Sequence, residues 1–586
     1  MFTIELIYVT GFTLGSLSLI VFLLGHLGLL TPNFVAAAVI ASLFLFSYLK
    51  KNLSEDRTGK TRFTSTEKFL LVSIGILLLS VLPLALTPPS VRDELIQHLA
   101  IPKLYLAKAK IFEIPMMGFS YLPQNIDLLY LVPMAFGDDI APRLIHFGFA
   151  ILTGSLIYFY LSGKLNRQYG LLGMLIYLST PLAVNLSRVA YADHGAAFYS
   201  TLSLIAILKW KDSGFPAKWL IFSAVSMGFA LGAKFNNLLS FALLNAFVSY
   251  IYLKKMGKPV KALKFGVIYF VITAAVLSPW LIRNYIWTGS PLYPIWESAG
   301  HAAVRGEGLH ITSEMSPIGK RYLLYNESTL DLILLPVRIF FQGADNSIER
   351  FDGVLNPFLL AFLPFLLVRK NFKDIGWLGL YCALFFVMAF LTVDMATRYL
   401  LPILPAFVIL VVAGINNLAD TKKLKLFFLA LISALFVFSI NYISGLHAKE
   451  SPFLYIGGEA SRDEYLSVKL PDYNAVNFSN QNLPENAKVL LLFAGDRGYY
   501  WERDYVYWDR TGVFFKDLVK RTGDEEALKK GFRSMGISHI VMNDSIVERF
   551  ANNNFKEQEL KVIVNFFNTN TSKLYTSNGF SVYALK

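Results

Sequence analysis

The chain has 586 residues, of which 55% are hydrophobic and only 16% charged. Soluble domains are usually about one quarter charged, so the composition excludes an ordinary water-soluble enzyme and indicates a polytopic membrane protein whose long apolar runs cross as helices. The net charge of +13 would suit nucleic acid, but Lys and Arg gather in short loops between apolar segments, as topology signals do, so no nucleic acid is expected as a partner. The single cysteine, Cys382, leaves no intramolecular disulfide and no thiol pair for metal or redox work.

About thirteen spans are predicted, near residues 5–28, 33–49, 67–87, 139–162, 168–185, 195–209, 218–233, 237–253, 264–282, 354–368, 375–393, 398–418 and 425–444. The first has neither a basic n-region nor a small-residue cleavage site and is expected to remain as a helix. Basic residues follow every even-numbered span: Lys50, Lys51, Arg57, Lys60, Arg62 and Lys68, then Lys164 and Arg167, then Lys209, Lys211 and Lys218. The pattern continues with Lys254, Lys255, Lys258, Lys261 and Lys264, then Arg369, Lys370 and Lys373, then Lys422, Lys423 and Lys425. The odd-numbered short loops carry almost none. The positive-inside rule then predicts a multi-pass protein of the cytoplasmic (inner) membrane, with a cytoplasmic N-terminus and the C-terminal tail outside.

Three outer segments are long. Residues 88–138 contain two amphipathic pieces, Asp93–Lys110 and Gln124–Phe136, expected to lie along the interface. Residues 283–353 are rich in aromatics and turn residues. In the tail, 445–586, Ala487–Gly495 reads as a buried strand and Glu525–Met535 as an amphipathic helix. Ile537–Asn543 reads as a strand, Glu557–Phe567 as a helix, and Lys573–Leu585 as a hairpin around Thr576-Ser-Asn-Gly579, which together suggest a small α/β domain. Gly495-Asp-Arg-Gly498 is a turn signature only.

The chemistry concentrates after the third span. Pro88-Pro89 stops the apolar run, and Asp93 and Glu94 follow at the boundary, where acids are expensive unless they face a polar cavity or a substrate. Group transfer to a hydroxyl or amine needs a group that removes the nucleophile's proton, which a carboxylate can do. Neighbouring acids on one helix point about 100° apart, so one would be the base and the other a positioning or metal-binding group. The alternative is a capping box begun by Ser90, with acids favoured by the helix dipole. His98, one turn after Glu94, would either share a proton or a metal with it or be structural. Asp193 and His194 return an acid and a histidine to the same side. Asp193 would hold an acceptor, a sugar or a divalent cation, or simply cap the next helix.

Lys234, Arg283 and Arg398 stand at outer helix ends, where basic residues are disfavoured. A phosphate leaving group explains the placement; snorkelling, or an ion pair of Arg398 with Asp394, is the alternative. Tyr293, Trp296, Tyr322, Tyr325 and Arg338 are candidates for lining a groove for an isoprenoid chain and a sugar, although interfacial aromatics are common without a ligand.

Asp93-Glu-Leu-Ile-Gln-His-Leu-Ala-Ile-Pro-Lys-Leu-Tyr105, Ala190-Tyr-Ala-Asp193, Leu231-Gly-Ala-Lys234, Ser278-Pro-Trp-Leu-Ile-Arg-Asn-Tyr285, Gly289-Ser-Pro-Leu-Tyr-Pro294 and Arg398-Tyr-Leu-Leu-Pro-Ile-Leu-Pro405 occur in that order. In them the chain resembles the C-type (GT-C) glycosyltransferases, most like bacterial relatives of protein O-mannosyltransferases and of the lipid A aminoarabinose transferase. The resemblance covers roughly residues 67–445. It implies a GT-C-like transmembrane catalytic domain at 67–444 with outer loops 88–138 and 283–353, preceded by two extra helices and a basic loop at 1–66 and followed by a soluble extracytoplasmic α/β domain at 445–586. It implies an inverting enzyme that uses a polyprenyl-phosphate-linked sugar and a glycan, lipid or protein acceptor. Asp93 matches the family's base, with Glu94 beside it. Lys234 and Arg283 match the phosphate-holding cations, with Arg398 a further candidate. Asp193 matches an acidic position that binds a metal in some members, so a divalent cation at Asp193 and Glu94 stays open. His98, His194 and Tyr293 are candidates on the acceptor or sugar side. A lipid-sugar flippase would instead carry mid-membrane acids, broken helices and internal repeats, whereas here the ionisable residues gather at the boundary. A non-catalytic glycan-assembly subunit is the other alternative.

Overall fold

A computed structural model describes residues 3–51, 62–295, 316–367, 372–392, 395–419, 425–507 and 513–586. Helices α1 (Ile4–His26), α2 (Pro32–Lys51) and α3 (Ser65–Ala85) open the chain. A π-helical turn, Glu94–His98, leads into α4 (Ala100–Ala107) and α5 (Asn125–Met134). Then come α6 (Ala141–Lys164), α7 (Arg167–Ser179), α8 (Pro181–Ser187), α9 (Asp193–Asp212), α10 (Ala217–Ala233), α11 (Leu238–Met256) and α12 (Pro259–Thr288). Short helices α13 (Pro317–Tyr325), α14 (Thr329–Ile333) and α15 (Leu335–Phe341) precede a 3-10 segment, Pro357–Leu367, and α16 (Ile375–Thr392). A second 3-10 segment, Thr397–Ile403, runs into α17 (Leu404–Ala419), followed by α18 (Lys425–Glu450).

Among the described residues, nine helices are long and apolar enough to cross a membrane, and the α7–α8 pair, bent by 66°, makes a tenth. The bend falls at Pro181, which has no N–H to continue the helical ladder and whose ring displaces the preceding turn. Twelve of the thirteen predicted spans coincide with one of these helices or with a shorter apolar one, while the span at 195–209 falls on α9, which does not reach that apolarity. The outward faces of α2 and α12 expose Leu43, Phe44, Tyr48, Val260, Leu263 and Ile286. In water this would be an aggregating surface; against hydrocarbon it has no such cost.

The bundle is organised around α9, which is buried along nearly its whole length. The first helix, expected as an addition ahead of the fold, packs in the middle of it. Tyr8 donates to the Leu202 carbonyl at 2.9 Å and Tyr199 donates to that of Gly11 at 2.8 Å. A side chain at Gly15 would meet the Phe229 ring at 2.6 Å, so the small residue lets α1 close on α10. The amphipathic reading of Gln124–Phe136 fails: Asn125 to Leu131 are buried on every face, because α5 is wedged among α1, α4, α6 and α10. At the end of the bundle that carries the basic loops, Lys164 pairs with Asp374 at 2.7 Å and Arg167 with Glu67 at 3.1 Å.

The C-terminal region folds around one five-stranded sheet: β1 (Lys488–Leu492), β2 (Asp504–Val506), β3 (His539–Asn543), β4 (Thr571–Ser577) and β5 (Phe580–Leu585), in the order β2-β1-β3-β5-β4. β1 pairs in parallel with β2 and β3, while β5 is antiparallel to β3 and β4. Leu490, Leu492, Ile540 and Met542 pack on Phe515, Leu528, Phe532 and Phe566. The alternate residues Val489, Leu491, Val541 and Val582 face Tyr473, Val476 and Trp501. Both faces are covered, which is why β1 reads as an unbroken apolar run. Asn578 and Gly579 take φ of 51° and 78°, the mirror-image turn that suits the right-handed twist of a hairpin. The strand at 504–506 and the helices at 462–469, 473–482, 513–522 and 544–554 were not legible beforehand.

Candidate functional site

The π-helical turn fixes the two boundary acids. Its wide hydrogen bond, Leu99 N–H to the Glu94 carbonyl at 2.9 Å, sits directly after Asp93, and such turns recur at functional positions. Asp93 and Glu94 point to different partners. Glu94 is fully buried and takes a two-pronged ion pair from Arg143, Nε at 2.8 Å and Nη2 at 2.6 Å. It also accepts the backbone N–H of Ala190 at 2.6 Å and of Val91 at 3.1 Å. Arg143 Nη1 donates to the Thr87 carbonyl at 2.8 Å. Glu94 therefore ties the loop to α6 and to the 188–192 connection, and its own side chain, rather than Ser90, caps the turn.

Asp93 accepts from Arg398 Nη1 at 2.7 Å, with the two side chains 22% and 23% exposed. Asp193 heads α9 and accepts from Lys234 at 2.6 Å, where α10 ends and the chain becomes extended. Arg398 Cζ lies 5.9 Å from the Tyr191 ring and 5.3 Å from that of Tyr399, and Lys234 lies over the same Tyr399 ring at 5.4 Å. Arg398 Nε is 3.7 Å from Asp352. His98 Nδ1 meets Asp127 at 2.8 Å, and its ring lies 5.3 Å from that of Tyr191. Asp93, His98, Asp193, Lys234 and Arg398 thus form one cluster. Two atoms in it, Asp193 Oδ2 and Arg398 Nε, are buried without a hydrogen-bond partner, which marks capacity for a ligand.

Burial alone would raise the Asp93 carboxyl, but the charge and hydrogen bond of Arg398, with His98 and Lys234 behind, hold it below the usual range. Burial would likewise lower His98, but Asp127 outweighs it and the imidazole is raised. Among the described residues no three His, Cys, Asp or Glu side chains group to hold a metal. Both Glu94 oxygens are engaged and one Asp193 oxygen is held by Lys234, so the residues present do not fit the divalent cation left open above.

Other candidates lie elsewhere. His194 is sealed among Tyr177, Ser187 and the Ala183 carbonyl, at 3.3, 3.2 and 3.1 Å, where α7, α8 and α9 meet. Arg283 is buried between the rings of Trp280 and Trp287, 4.6 Å from each, and donates to the Tyr121 carbonyl and to Asn284, both at 2.7 Å. Tyr293 stacks edge-on with Tyr121 at 4.9 Å in the same group. Tyr322, Tyr325 and Arg338 belong to the 317–351 segment, where Glu327 holds Arg321 at 2.5 Å and Arg338 at 2.8 Å. Trp296 and Asp394 lie outside the described residues. Arg143, Asp127, Tyr191 and Tyr399 were missed. Arg143 had the same signal as Lys234, a cation at the basic-poor end of a span, and Asp127 was an acid inside an apolar run.

Beside the cluster lies an apolar cavity of about 590 Å³, lined among others by Leu182, Phe340, Leu363, Phe386, Leu400 and Phe407. Its wall includes the 3-10 segment that begins next to Arg398. On the other flank, the turn after β1 grips the loop: Tyr499 N–H donates to the Leu95 carbonyl at 3.1 Å and Tyr500 to that of Pro89 at 2.6 Å. Lys103 donates to the carbonyls of Tyr499 and Trp501, at 2.7 and 3.0 Å.

Residues 119–288 match the family of dolichyl-phosphate-mannose-protein mannosyltransferases. The structure is similar to that of ArnT from Cupriavidus metallidurans in the apo state, at 12% identity and a TM-score of 0.54 over 89% of this chain and 98% of that one. It is similar to the same protein bound to undecaprenyl phosphate, at 12% identity and a TM-score of 0.56 with the same coverage. The archaeal oligosaccharyltransferase AglB from Archaeoglobus fulgidus, solved with an inhibitory peptide and a dolichol-phosphate, matches at 12% identity and a TM-score of 0.48 over 89% of this chain and 75% of that one. No curated protein sequence matches the chain. The chain shares the fold of ArnT, a multi-helix bundle with a small C-terminal sheet domain.

Proposed function

We propose that the chain transfers a sugar, with inversion, from a polyprenyl-phosphate donor to an acceptor on the outer face of the cytoplasmic membrane. One observation carries the reading: a partly open carboxylate, Asp93, shares a cluster with Arg398 and Lys234 beside an apolar cavity able to take an isoprenoid chain. Asp93 removes the proton from the acceptor hydroxyl or amine as it attacks the anomeric carbon. The bond from that carbon to the phosphate oxygen breaks, and the electron pair leaves with the lipid phosphate. The transition state is oxocarbenium-like, and the negative charge that builds on the departing phosphate is met by Arg398 and Lys234. Asp193 positions Lys234. Arg283 donates to the 121–122 carbonyls and to Asn284 and is assigned to holding that segment, although its Nη1 is buried without a partner among the described residues.

The pairing of Asp93 with Arg398 has a consequence for the cycle. When the donor phosphate draws Arg398 toward itself, Asp93 loses its main stabilising charge and becomes a stronger base at the moment it is needed. The basic loops lie at the opposite end of the bundle from Asp93, which supports the outer location. The acceptor is a glycan, lipid or protein. The test is Asp93→Asn in proteoliposomes supplied with lipid-linked sugar: turnover near that of the parent rejects the assignment.

A further inference from the structure

A polar cleft of about 390 Å³ separates the C-terminal domain from the membrane bundle, away from the Asp93 cluster. Its size lies within the roughly 300–1,000 Å³ of small-molecule sites. Lys103 of α4 and Asp139 ahead of α6 form one wall; Tyr473, Asn477 and Gln481 of the 473–482 helix, with the Tyr499–Glu502 turn, form the other.

The lining is pre-arranged. Tyr473 donates to Asp463 at 2.7 Å, Tyr499 to Asp139 at 3.0 Å, and Tyr500 to the Pro89 carbonyl at 2.6 Å, so the three rings are held by their hydroxyls. Tyr473 and Tyr500 stand at 90° with centroids 5.4 Å apart, and Tyr499 and Tyr500 at 71° and 5.0 Å. The three rings pack edge to face on one another, with Lys103 over Tyr499 at 5.5 Å and Arg462 over Tyr500 at 5.9 Å, and leave a mainly polar lining. Gln481 donates to Asn477 at 3.0 Å, leaving the Asn477 amide nitrogen and the Gln481 amide oxygen with no other hydrogen bond among the described residues. Glu502 is exposed, and its carboxylate accepts no hydrogen bond there.

Charge decides the ligand class. Arg462 pairs with Asp139, and Lys103 donates to the Tyr499 and Trp501 carbonyls. The three acids Asp139, Asp463 and Glu502 outnumber the two cations, so a phosphate, a nucleotide or an acidic sugar would meet net negative charge. Unpaired amide groups and a free carboxylate, which can donate to and accept from hydroxyls, suit an uncharged carbohydrate. We propose that this cleft binds a neutral oligosaccharide portion of the acceptor, distant from the reacting group. The proposal rests on the transfer reaction above for its purpose.

The experiment uses the full chain in lipid nanodiscs on an array of neutral, phosphorylated and uronic-acid oligosaccharides together with lysine-rich peptides. The variants are Asn477→Ala with Gln481→Ala, and separately Glu502→Gln, all at positions not fully buried. The parent should retain neutral oligosaccharides, and the double variant should bind them about tenfold more weakly. Donor consumption with a short acceptor should be unchanged, and KM for an acceptor bearing the retained oligosaccharide should rise about tenfold. Glu502→Gln should weaken binding less and should not open the cleft to phosphorylated sugars. Failure of the parent to retain any neutral oligosaccharide, retention equal in parent and variants, or a preference for anionic sugars or peptides overturns the proposal. Donor consumption separates the two readings: saccharide binding without it removes the transfer reaction and leaves the cleft, whereas transfer with unchanged KM in the variants removes the cleft alone.

Discussion

Asp93 and Glu94 are adjacent, yet their surroundings are opposites. The Glu94 side is a plug: no exposure, an Arg143 fork, and backbone donors on the remaining lone pairs. The Asp93 side is a cluster open to solvent, with buried polar atoms left over. The difference shows that a charged pair in a membrane protein is not functional by virtue of being charged. A satisfied, sealed pair is a fastening, and only a partly satisfied one with access keeps capacity for a substrate.

The sharpest way to break this comparison is to neutralise each acid in turn. Asp93→Asn should lower turnover by about 10²–10⁴-fold, the usual contribution of a positioned base, with a smaller loss of thermal stability in detergent than Glu94→Ala. Glu94→Ala should do the reverse, destabilising the fold by about 3–5 kcal/mol because Arg143 is left buried and unpaired. Replacing both partners, Glu94→Leu with Arg143→Met, should recover much of that stability if the pair is a fastening alone.

A smaller effect sharpens the cluster itself. Arg398→Gln removes a charge-assisted hydrogen bond of about 1.5–3 kcal/mol. It should weaken donor binding, measured with radiolabelled lipid-linked sugar, and move the acid limb of the kcat/KM profile upward. That limb should lie below the ordinary carboxylate range in the parent, because Asp93 is held low. The stabilisation Asp93 gives the fold is present at neutral pH and is lost as pH falls through that lowered value.

The clamp from the C-terminal domain gives an effect of about 1 kcal/mol: Tyr500→Phe loses one hydrogen bond to the Pro89 carbonyl and should reduce kcat more than donor affinity. The smallest concerns His98, whose raised value means its pairing with Asp127 is complete at pH below about 6.5. That stabilisation is lost as pH rises through the folded value, and His98→Gln should flatten this alkaline-side loss in thermal unfolding.

Sequence alone determined the spans and many elements of the tail, because hydrophobic length and alternation are local properties. It located Asp93, Asp193, Lys234 and Arg398 by the same logic, since a charge at a membrane boundary stands out from its immediate neighbours. It could not say which charge meets which. Arg398 reaches Asp93 across 305 residues and Arg143 reaches Glu94 across 49, and no local pattern encodes a pairing that exists only once the helices have packed. The same limit hid the burial of α5 and the central place of α1, and it grouped Arg283 and His194 with the cluster although packing turned their side chains to other partners. Tertiary structure decided these because a side chain's role depends on what covers it, and in a helical bundle the cover comes from distant parts of the chain.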